Sequence, residues 1–221
     1  MQKTAILFDI DGTLVDSNEH HVTAWQRAFA EAGHQFDRAT LHAQLGKGGD
    51  NYIPSLLPES TEEEQAALGE AHGRIYRDEY LPQVKPFSGA RDLLERAKDA
   101  GKTVVLASSA SREELDWYVT LLDAADLLDA TTSADDVRHS KPCPDIFEAA
   151  LRSSGCAAPA EALVIGDTPF DIIAARGAGM EAVAVRSGRF SDEALEAERP
   201  VAIYDDVAAI LAGFDRSPLA T

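Results

Sequence analysis

Two carboxylates stand one residue apart after a short apolar run, in the sequence Asp9-Ile10-Asp11-Gly12-Thr13. The preceding run, Ala5-Ile6-Leu7-Phe8, has the character of a buried strand. Charges at the end of a buried strand need a partner such as a metal ion, because an unpaired charge is costly to remove from water. In phosphoryl transfer, Asp9 has the chemistry of a nucleophile and Asp11 that of an acid and base. Gly12 allows the chain to turn sharply after them.

Ser108 and Lys141 add groups that bind anions. Ser108 ends the apolar run 103–108 and precedes Ser109, so its hydroxyl and the following backbone N–H groups can hold an anionic oxygen. Lys141 lies in the stretch 140–144, whose two prolines stiffen the approach of a fixed positive charge. Taken alone, Ser108 is typical of a helix N-cap and Lys141 of a solvated loop.

Two more aspartates, Asp167 and Asp171, follow another apolar run. With Asp9 and the backbone carbonyl of Asp11, Asp167 can complete the protein side of an octahedral oxygen site, which magnesium prefers. Asp171 comes one helical turn later, where it can bond to water on the metal or orient Lys141.

The elements that must position these residues follow from hydrophobic periodicity. Strands are predicted at 4–9, 103–108, 162–166, 181–185 and 201–203, with a short one near 130–133. Helical periodicity separates them, which predicts an α/β fold with a parallel sheet flanked by helices. Ligands bind beyond the carboxyl ends of such strands, where Asp9, Ser108 and Asp167 lie.

The stretch 17–83 breaks this alternation and reads as helices only. Helices are predicted at 18–33, 38–45, 50–57 and 61–80. Ser60 and Glu63 have the spacing of a capping box for the last one. We predict a helical cap domain at 17–83 and a core domain formed by 1–16 and 84–221. The alternative is an independent helical bundle in the same chain.

Composition limits the classes of partner. Hydrophobic residues make up 45% and charged residues 26%, as in ordinary globular proteins, and the formal net charge is −18. This charge argues against nucleic acid and anionic membranes as partners, but a metal ion and a lysine can still attract a small phosphorylated molecule. We expect a cytoplasmic protein without a spanning segment or signal peptide, two reduced cysteines, and a frayed tail at 214–221.

Together these motifs resemble the haloacid dehalogenase superfamily, in the subclass with a helical cap after the first motif. The likeness covers almost the whole chain, with four motifs in order. It implies a Rossmann-like core with a mobile cap, Asp9 as nucleophile and Asp11 as acid and base. It also implies magnesium bound by Asp9, Asp11 and Asp167, and phosphate bound by Ser108, Ser109 and Lys141.

Departures within that superfamily separate its branches. An acidic Asp11 favours phosphate esters over carbon–halogen bonds and phosphonates. Members similar to β-phosphoglucomutase share His21, Trp25 and the stretch 140–147. That mutase carries Glu-Asp in the fourth motif and an arginine in the cap loop, whereas this chain has the phosphatase-like Gly166-Asp167-Thr168-Pro169-Phe170-Asp171. Phosphatase is therefore the first choice and sugar phosphomutase the second.

The predicted cap loop, Leu45-Gly46-Lys47-Gly48-Gly49-Asp50, is flexible. Lys47 and the Gly48 backbone are candidates for substrate contact when the cap closes, although the loop can equally be an ordinary helix connector. Three histidines near it, His20, His21 and His72, are interpreted as hinge or packing residues.

Two other protein classes share parts of this residue set. A receiver domain of a response regulator also uses aspartates, a hydroxyl and a lysine, but it lacks a helical insert and places its phosphorylated aspartate after the third strand. An inactive binding protein on the same scaffold has no need for every charged group. The sequence thus predicts magnesium-dependent hydrolysis of a small phosphorylated metabolite, with a sugar phosphate, phosphoglycolate or a nucleotide all remaining open.

Overall fold

A computed structural model describes residues 2–156 and 158–221, and this part of the chain contains a six-stranded parallel sheet. The strands are β1 (Ala5–Phe8), β2 (Thr103–Ala107), β3 (Ala130–Thr132), β4 (Ala162–Gly166), β5 (Glu181–Val185) and β6 (Ala202–Tyr204). Their order is β3-β2-β1-β4-β5-β6. The α/β class and each predicted strand are confirmed. The bounds of β4 and β5 are as predicted, and those of the other strands differ by one residue at one or both ends.

Helices connect the strands and also fill the long segment after β1. They are α1 (Asn18–Glu31), α2 (Arg38–His42), α3 (Gly49–Leu56), α4 (Glu62–Ile75), α5 (Ala90–Asp99), α6 (Arg112–Leu121), α7 (Asp145–Ser154), α8 (Pro169–Gly177), α9 (Asp192–Ala197) and α10 (Val207–Ala212). A π-helical turn, Tyr76–Tyr80, continues α4. Within the described residues, none of these helices combines the length and apolarity needed to cross a bilayer.

The central strand β1 is buried on both faces. Ile6 and Phe8 pack into the larger apolar cluster on one side, and Ala5 and Leu7 pack into a second cluster on the other. This explains why β1 reads as a continuous apolar run, since parallel strands are covered by helices on both sides. The chain leaves β1 towards β2 and later returns to its other edge with β4. The crevice between β1 and β4 is therefore the topological switch point.

Residues 17–83, which we call the helical insert, contain α1 to α4. A third apolar cluster lies inside the insert and includes Trp25, Phe29 and Tyr52. Other insert residues, among them Ala28 and Tyr76, belong to the cluster on the sheet. The insert therefore has apolar contacts of its own and is also packed onto the strands.

The capping box of α4 is displaced by one residue from its predicted position. Thr61 and Glu64 form it, with the Thr61 N–H donating to Glu64 over 2.8 Å and the Glu64 N–H donating to Thr61 Oγ1 over 3.2 Å. The Ser60 hydroxyl instead donates to the Leu57 carbonyl of the preceding turn over 2.6 Å. The prediction of Ser60 and Glu63 was wrong because both serine and threonine can cap, and local sequence does not choose between adjacent candidates.

The expected frayed tail is also wrong. Phe214, Ser217 and Leu219 are buried, and Phe214 and Leu219 join the apolar cluster on the sheet. The Thr221 carbonyl accepts a hydrogen bond of 2.6 Å from the Lys3 N–H at the start of the chain. Burial of Phe214 and Leu219 therefore holds residues 214–221 against the core.

This packing predicts that Leu219→Ala lowers the free energy of unfolding by about 2–3 kcal/mol, because a fully buried leucine leaves a cavity. Val201→Ala is the matched control, since Val201 is 44% exposed and should change that free energy by less than about 0.5 kcal/mol. Urea unfolding measures both values. A loss of unfolding free energy for Leu219→Ala as small as that for Val201→Ala would show that the terminal segment does not contribute to stability.

Candidate active site

The strand ends at the switch point bring two aspartates together. Asp9 follows β1 and Asp167 follows β4, and the Asp9 N–H donates to the Ile165 carbonyl over 2.9 Å. Both aspartates are buried. Ser108 follows β2 on the other side of β1 and is also buried. The parallel register of three neighbouring strands therefore places these predicted residues at one edge of the sheet.

Lys141 enters this edge from the loop before α7. Its ammonium group contacts an Asp9 oxygen and lies 2.7 Å from Asp171 Oδ1, and the side chain is 1% exposed. The other Asp171 oxygen accepts from the Thr168 N–H at 3.0 Å and from the Thr168 hydroxyl at 2.7 Å, which caps α8. Of the two tasks predicted for Asp171, the contact with Lys141 is the one observed.

The Asp167 carboxylate is closely surrounded by hydrogen-bond donors and glycines. Asn18 Nδ2 donates to it over 2.9 Å, and the Thr13 hydroxyl lies 3.1 Å away. A Cβ on Gly188 or Gly12 would stand 1.8 Å or 2.2 Å from Asp167 Oδ2, so neither position has room for a side chain. Gly12 also has a φ of +76°, which favours glycine.

The aspartates of this cluster carry more negative charge than the ammonium group of Lys141 can balance. Burial raises the pKa of Asp9, and Lys141 only partly offsets that effect. Burial and the neighbouring Asp9 raise the pKa of Asp167 well above its usual range. Burial alone would lower the pKa of Lys141, but Asp171 and Asp9 outweigh it and raise that pKa. One ammonium group therefore does not neutralise the three carboxylates.

The donor set fits magnesium. One oxygen from each of Asp9, Asp167 and Asp171 lies within 4.8 Å of the others, and hard oxygen ligands are those that magnesium prefers. Asp171 joins this cluster of side chains, whereas the sequence assigned Asp11 to the site through its backbone carbonyl. However, its oxygens already accept from Lys141 and Thr168, so Asp9 and Asp167 are the less committed ligands. A contribution from the Asp11 backbone carbonyl stays a prediction.

The Asp11 side chain points to a different set of partners. It accepts hydrogen bonds from the Ser17 hydroxyl at 2.6 Å and the Tyr118 hydroxyl at 2.7 Å, and His21 Nε2 lies 3.1 Å away. Burial would raise the pKa of Asp11, but His21 and the hydrogen bonds from Ser17 and Tyr118 outweigh it and lower the pKa to about 2. The Asp11 carboxylate is therefore held in its ionised form.

The histidines differ in how close they come to Asp11. His21, interpreted as packing, contacts Asp11 directly, and its ring stacks on Tyr76 with centroids 3.8 Å apart. His72 lies 3.3 Å from His21, and burial keeps its pKa well below the usual value. His20 instead stacks on Tyr80.

A cavity of about 240 Å³ lies between the strand ends and the helical insert. It is lined by Asp9, Asp11, Asn18, His21, Trp25, Leu45, Gly46, Lys47, Gly48, Gly49, Gly69, His72, Gly73, Arg77, Ser109, Ala110, Ser111, Glu114 and Lys141. Ser109 thus faces the cavity, whereas the Ser108 hydroxyl accepts from the Ala110 N–H over 3.0 Å. The N-terminus of α6 also borders this space, but the N–H groups of Ser111 and Arg112 there donate to the carboxylates of Glu114 and Asp135.

The loop between α2 and α3 forms part of the cavity wall. Lys47 Nζ donates to Gln44 over 2.6 Å and to Ser55 over 2.8 Å, and it lies 4.6 Å from the centre of the Phe170 ring. The Gly48 N–H donates to Ser140 Oγ over 2.9 Å, next to Lys141. The loop therefore contacts the core at two of the predicted motifs.

The fold and site geometry agree with comparisons to known proteins. The model of the family described as haloacid dehalogenase-like hydrolase matches residues 6–185. The chain belongs to this family. The protein named "Probable phosphatase IndB" of Dickeya dadantii (strain 3937) is 32% identical over 95% of this chain and 92% of its own length.

Two solved structures of this fold are also similar. A hydrolase from Pseudomonas syringae has a TM-score of 0.90 and 30% identity, covering 97% of this chain and 98% of that chain. A β-phosphoglucomutase-like protein of Bacteroides vulgatus has a TM-score of 0.88 and 26% identity, covering 100% of this chain and 91% of that chain. The Rossmann-like α/β fold predicted from the family resemblance is therefore confirmed.

Sequence reasoning missed four residues of the site. Thr13 belongs to the first motif but was given no task, and Ser17, Asn18 and Tyr118 were not selected. Ser17 and Asn18 follow the first motif at the start of α1, where a polar pair facing the strand ends is a usable signal. Tyr118 lies in the middle of α6 among apolar positions and gives no comparable signal.

The raised pKa values predict how magnesium affects stability. Carboxyl groups whose folded pKa is raised stabilise the metal-free fold at low pH, and that contribution is lost as pH rises from about 4 through the folded pKa. Magnesium replaces those protons, so we expect an increase in Tm of about 5–10 °C near pH 8 at about 100-fold excess over Kd, and a smaller increase near pH 5.

Thermal unfolding of two variants, one a test and one a control, checks this prediction of a magnesium-dependent increase in Tm. Asp167→Asn removes a ligand and should lose most of the magnesium-dependent increase in Tm. Asp116→Asn makes the same chemical change on the exposed face of α6 and should retain it. An increase that is equal at both pH values, or that persists in Asp167→Asn, would contradict a magnesium site here.

Proposed function

We propose that this hydrolase is a magnesium-dependent phosphatase that cleaves a small phosphomonoester through an aspartyl-phosphate on Asp9. The observation that carries the proposal is the buried contact between Asp9 and Lys141 beside a cavity that Asp11 also lines. This places a nucleophile, a fixed cation and an acid–base group around one small space. The printed name of the Dickeya relative, a phosphatase, supports the same reaction class.

In the first step, an Asp9 oxygen attacks phosphorus while the bond to the leaving oxygen breaks. Lys141 and Ser109, which both line the cavity, stabilise charge on the phosphoryl oxygens. Asp11, which is ionised in the free site, takes the proton of the phosphomonoester monoanion and passes it to the leaving oxygen, so the alcohol departs neutral. Lys141 also fixes the orientation of Asp9, because its ammonium group is held on the other side by Asp171.

In the second step, Asp11 removes a proton from water as the water oxygen attacks phosphorus and the bond to Asp9 breaks. Free phosphate leaves with the proton that Asp11 took from water, and both carboxyl groups return to their starting states. Asp9, Asp167 and the Asp11 carbonyl would hold magnesium, which would supply positive charge near the phosphoryl oxygens. Thr13 and Asn18 keep the Asp167 carboxylate in place for that purpose.

We further propose that residues 17–83 act as a cap domain over a core of 1–16 and 84–221. The insert covers the strand ends, and its loop at Lys47 and Gly48 borders the cavity. A cavity of about 240 Å³ favours a compact leaving group over a large one. Small phosphorylated metabolites are therefore the expected substrates, and opening of the cap would admit them.

Sugar phosphomutase is the second candidate, and the Bacteroides neighbour supports it. Both reactions begin with transfer to Asp9, so they differ only in whether water or a second hydroxyl completes the cycle. A phosphate-release screen over a panel of phosphometabolites, with and without magnesium, separates them. Accumulation of an isomeric phosphosugar without free phosphate would favour the mutase.

Asp9→Asn is predicted to lose at least about a thousandfold in kcat, because the amide is a poor nucleophile. The variant should stay folded, as judged by its circular dichroism spectrum, and Asp116→Asn should remain fully active. Mass spectrometry after acid quenching should detect one added phosphoryl group on Asp9 of the unmodified chain. Turnover by Asp9→Asn near the original rate would exclude the covalent mechanism.

Lys47→Ala is predicted to raise KM several-fold for some phosphoesters while leaving kcat nearly unchanged, because Lys47 lines the cavity away from Asp9. Lys85→Ala, at an exposed position, is the control. Steady-state kinetics over the same panel checks the effect. Unchanged KM values for every substrate would show that the loop is only a connector.

A further inference from the structure

All three hydrogen-bond partners of the Asp11 carboxylate meet the same oxygen. Ser17, His21 and Tyr118 each contact Oδ1, at 2.6, 3.1 and 2.7 Å. Within the described residues, no hydrogen bond reaches Oδ2. Since every fully buried polar side-chain atom there has a partner, Oδ2 must retain accessible surface. The carboxylate is therefore held through one oxygen and leaves the other free.

The donor from Tyr118 is itself held by a second tyrosine. The hydroxyl groups of Tyr118 and Tyr76 lie 2.5 Å apart, and both side chains are fully buried. A phenol has a single proton, and Tyr118 donates its proton to Asp11. Its oxygen therefore accepts from Tyr76, which gives a directed chain from Tyr76 through Tyr118 to Asp11.

Tyr76 also supports another contact of Asp11. Its ring lies flat against His21, with centroids 3.8 Å apart and planes inclined by 16°. Tyr76 begins the π-helical turn of the insert, whereas Tyr118 lies on α6 beside the sheet. The position of Asp11 thus depends on both parts of the chain.

We infer that Tyr118, fixed by Tyr76, is a positioning residue that holds Asp11 Oδ1 so that Oδ2 transfers the proton. The inference rests on the proposed function. In the first step, Oδ2 takes the proton of the phosphomonoester monoanion and passes it to the leaving oxygen as the bond from that oxygen to phosphorus breaks. In the second, the attacking water returns a proton to Oδ2 as the bond between phosphorus and Asp9 breaks. Neither tyrosine gains or loses a proton.

The test compares leaving groups that differ in their need for a proton. 4-Nitrophenyl phosphate releases a stable anion, whereas an alkyl phosphate needs its leaving oxygen protonated. The alkyl substrate is the one that the unmodified enzyme cleaves fastest in the phosphate-release screen. The value of kcat/KM reports the steps up to leaving-group departure, so it isolates this proton transfer.

Tyr118→Phe should lower kcat/KM for the alkyl phosphate by about 10- to 100-fold, part of what general acid catalysis contributes. For 4-nitrophenyl phosphate the loss should be less than about threefold. Tyr76→Phe should show a smaller loss with the same selectivity, because Tyr118 keeps its bond to Asp11. Tyr52→Phe is the matched control, since that buried hydroxyl only donates to the Leu41 carbonyl, over 2.9 Å.

Each outcome of these measurements either supports or contradicts the inference about Tyr118. Equal losses for both substrates, or no loss for either in Tyr118→Phe, would overturn the inference while leaving the phosphatase in place. Selective loss in Tyr76→Phe supports the inference even if Tyr118→Phe fails to fold. If the unmodified enzyme releases phosphate from neither substrate, the proposed function fails and the inference fails with it.

Discussion

The buried ammonium group of Lys141 holds the strand ends together. It lies between the carboxylates of Asp9 and Asp171, and all three side chains are almost fully buried. Removal of one partner from such a contact typically costs about 3–5 kcal/mol, because a charge remains without compensation. The lysine therefore ties β1, the loop before α7 and the start of α8 to one another. The geometry of Asp9, the proposed nucleophile, depends on this cross-link.

The same cluster explains how a strongly acidic protein can accept an anion. The chain carries a formal net charge of −18. Three carboxylates lie close together at the strand ends, and Lys141 contacts two of them. Burial and neighbouring carboxylates raise the pKa values of Asp9 and Asp167, so without a metal these groups favour protons, which a divalent cation could replace. A bound cation would reverse the local potential and attract phosphate, whatever the sign of the distant surface.

The helical insert contacts both the loop that carries Lys141 and the residues around Asp11. Its loop donates from Gly48 to Ser140, directly before Lys141. Its last helical turn places Tyr76 against His21 and Tyr118, both of which contact Asp11. Displacement of the insert would therefore disturb both Lys141 and Asp11, the proposed acid–base group. Such coupling links substrate enclosure to the formation of a competent site.

Sequence alone determined the strands, because continuous apolar runs mark a sheet covered on both faces, and it identified Asp9 and Lys141 through motifs beside those runs. It did not identify Tyr118 or Asn18, whose partners are 107 and 149 residues away, nor the docking of 214–221. Local patterns encode periodicity and turns, whereas contacts between distant side chains exist only after strand order and helix packing are set. The tertiary structure therefore decided which oxygen of Asp11 stays free.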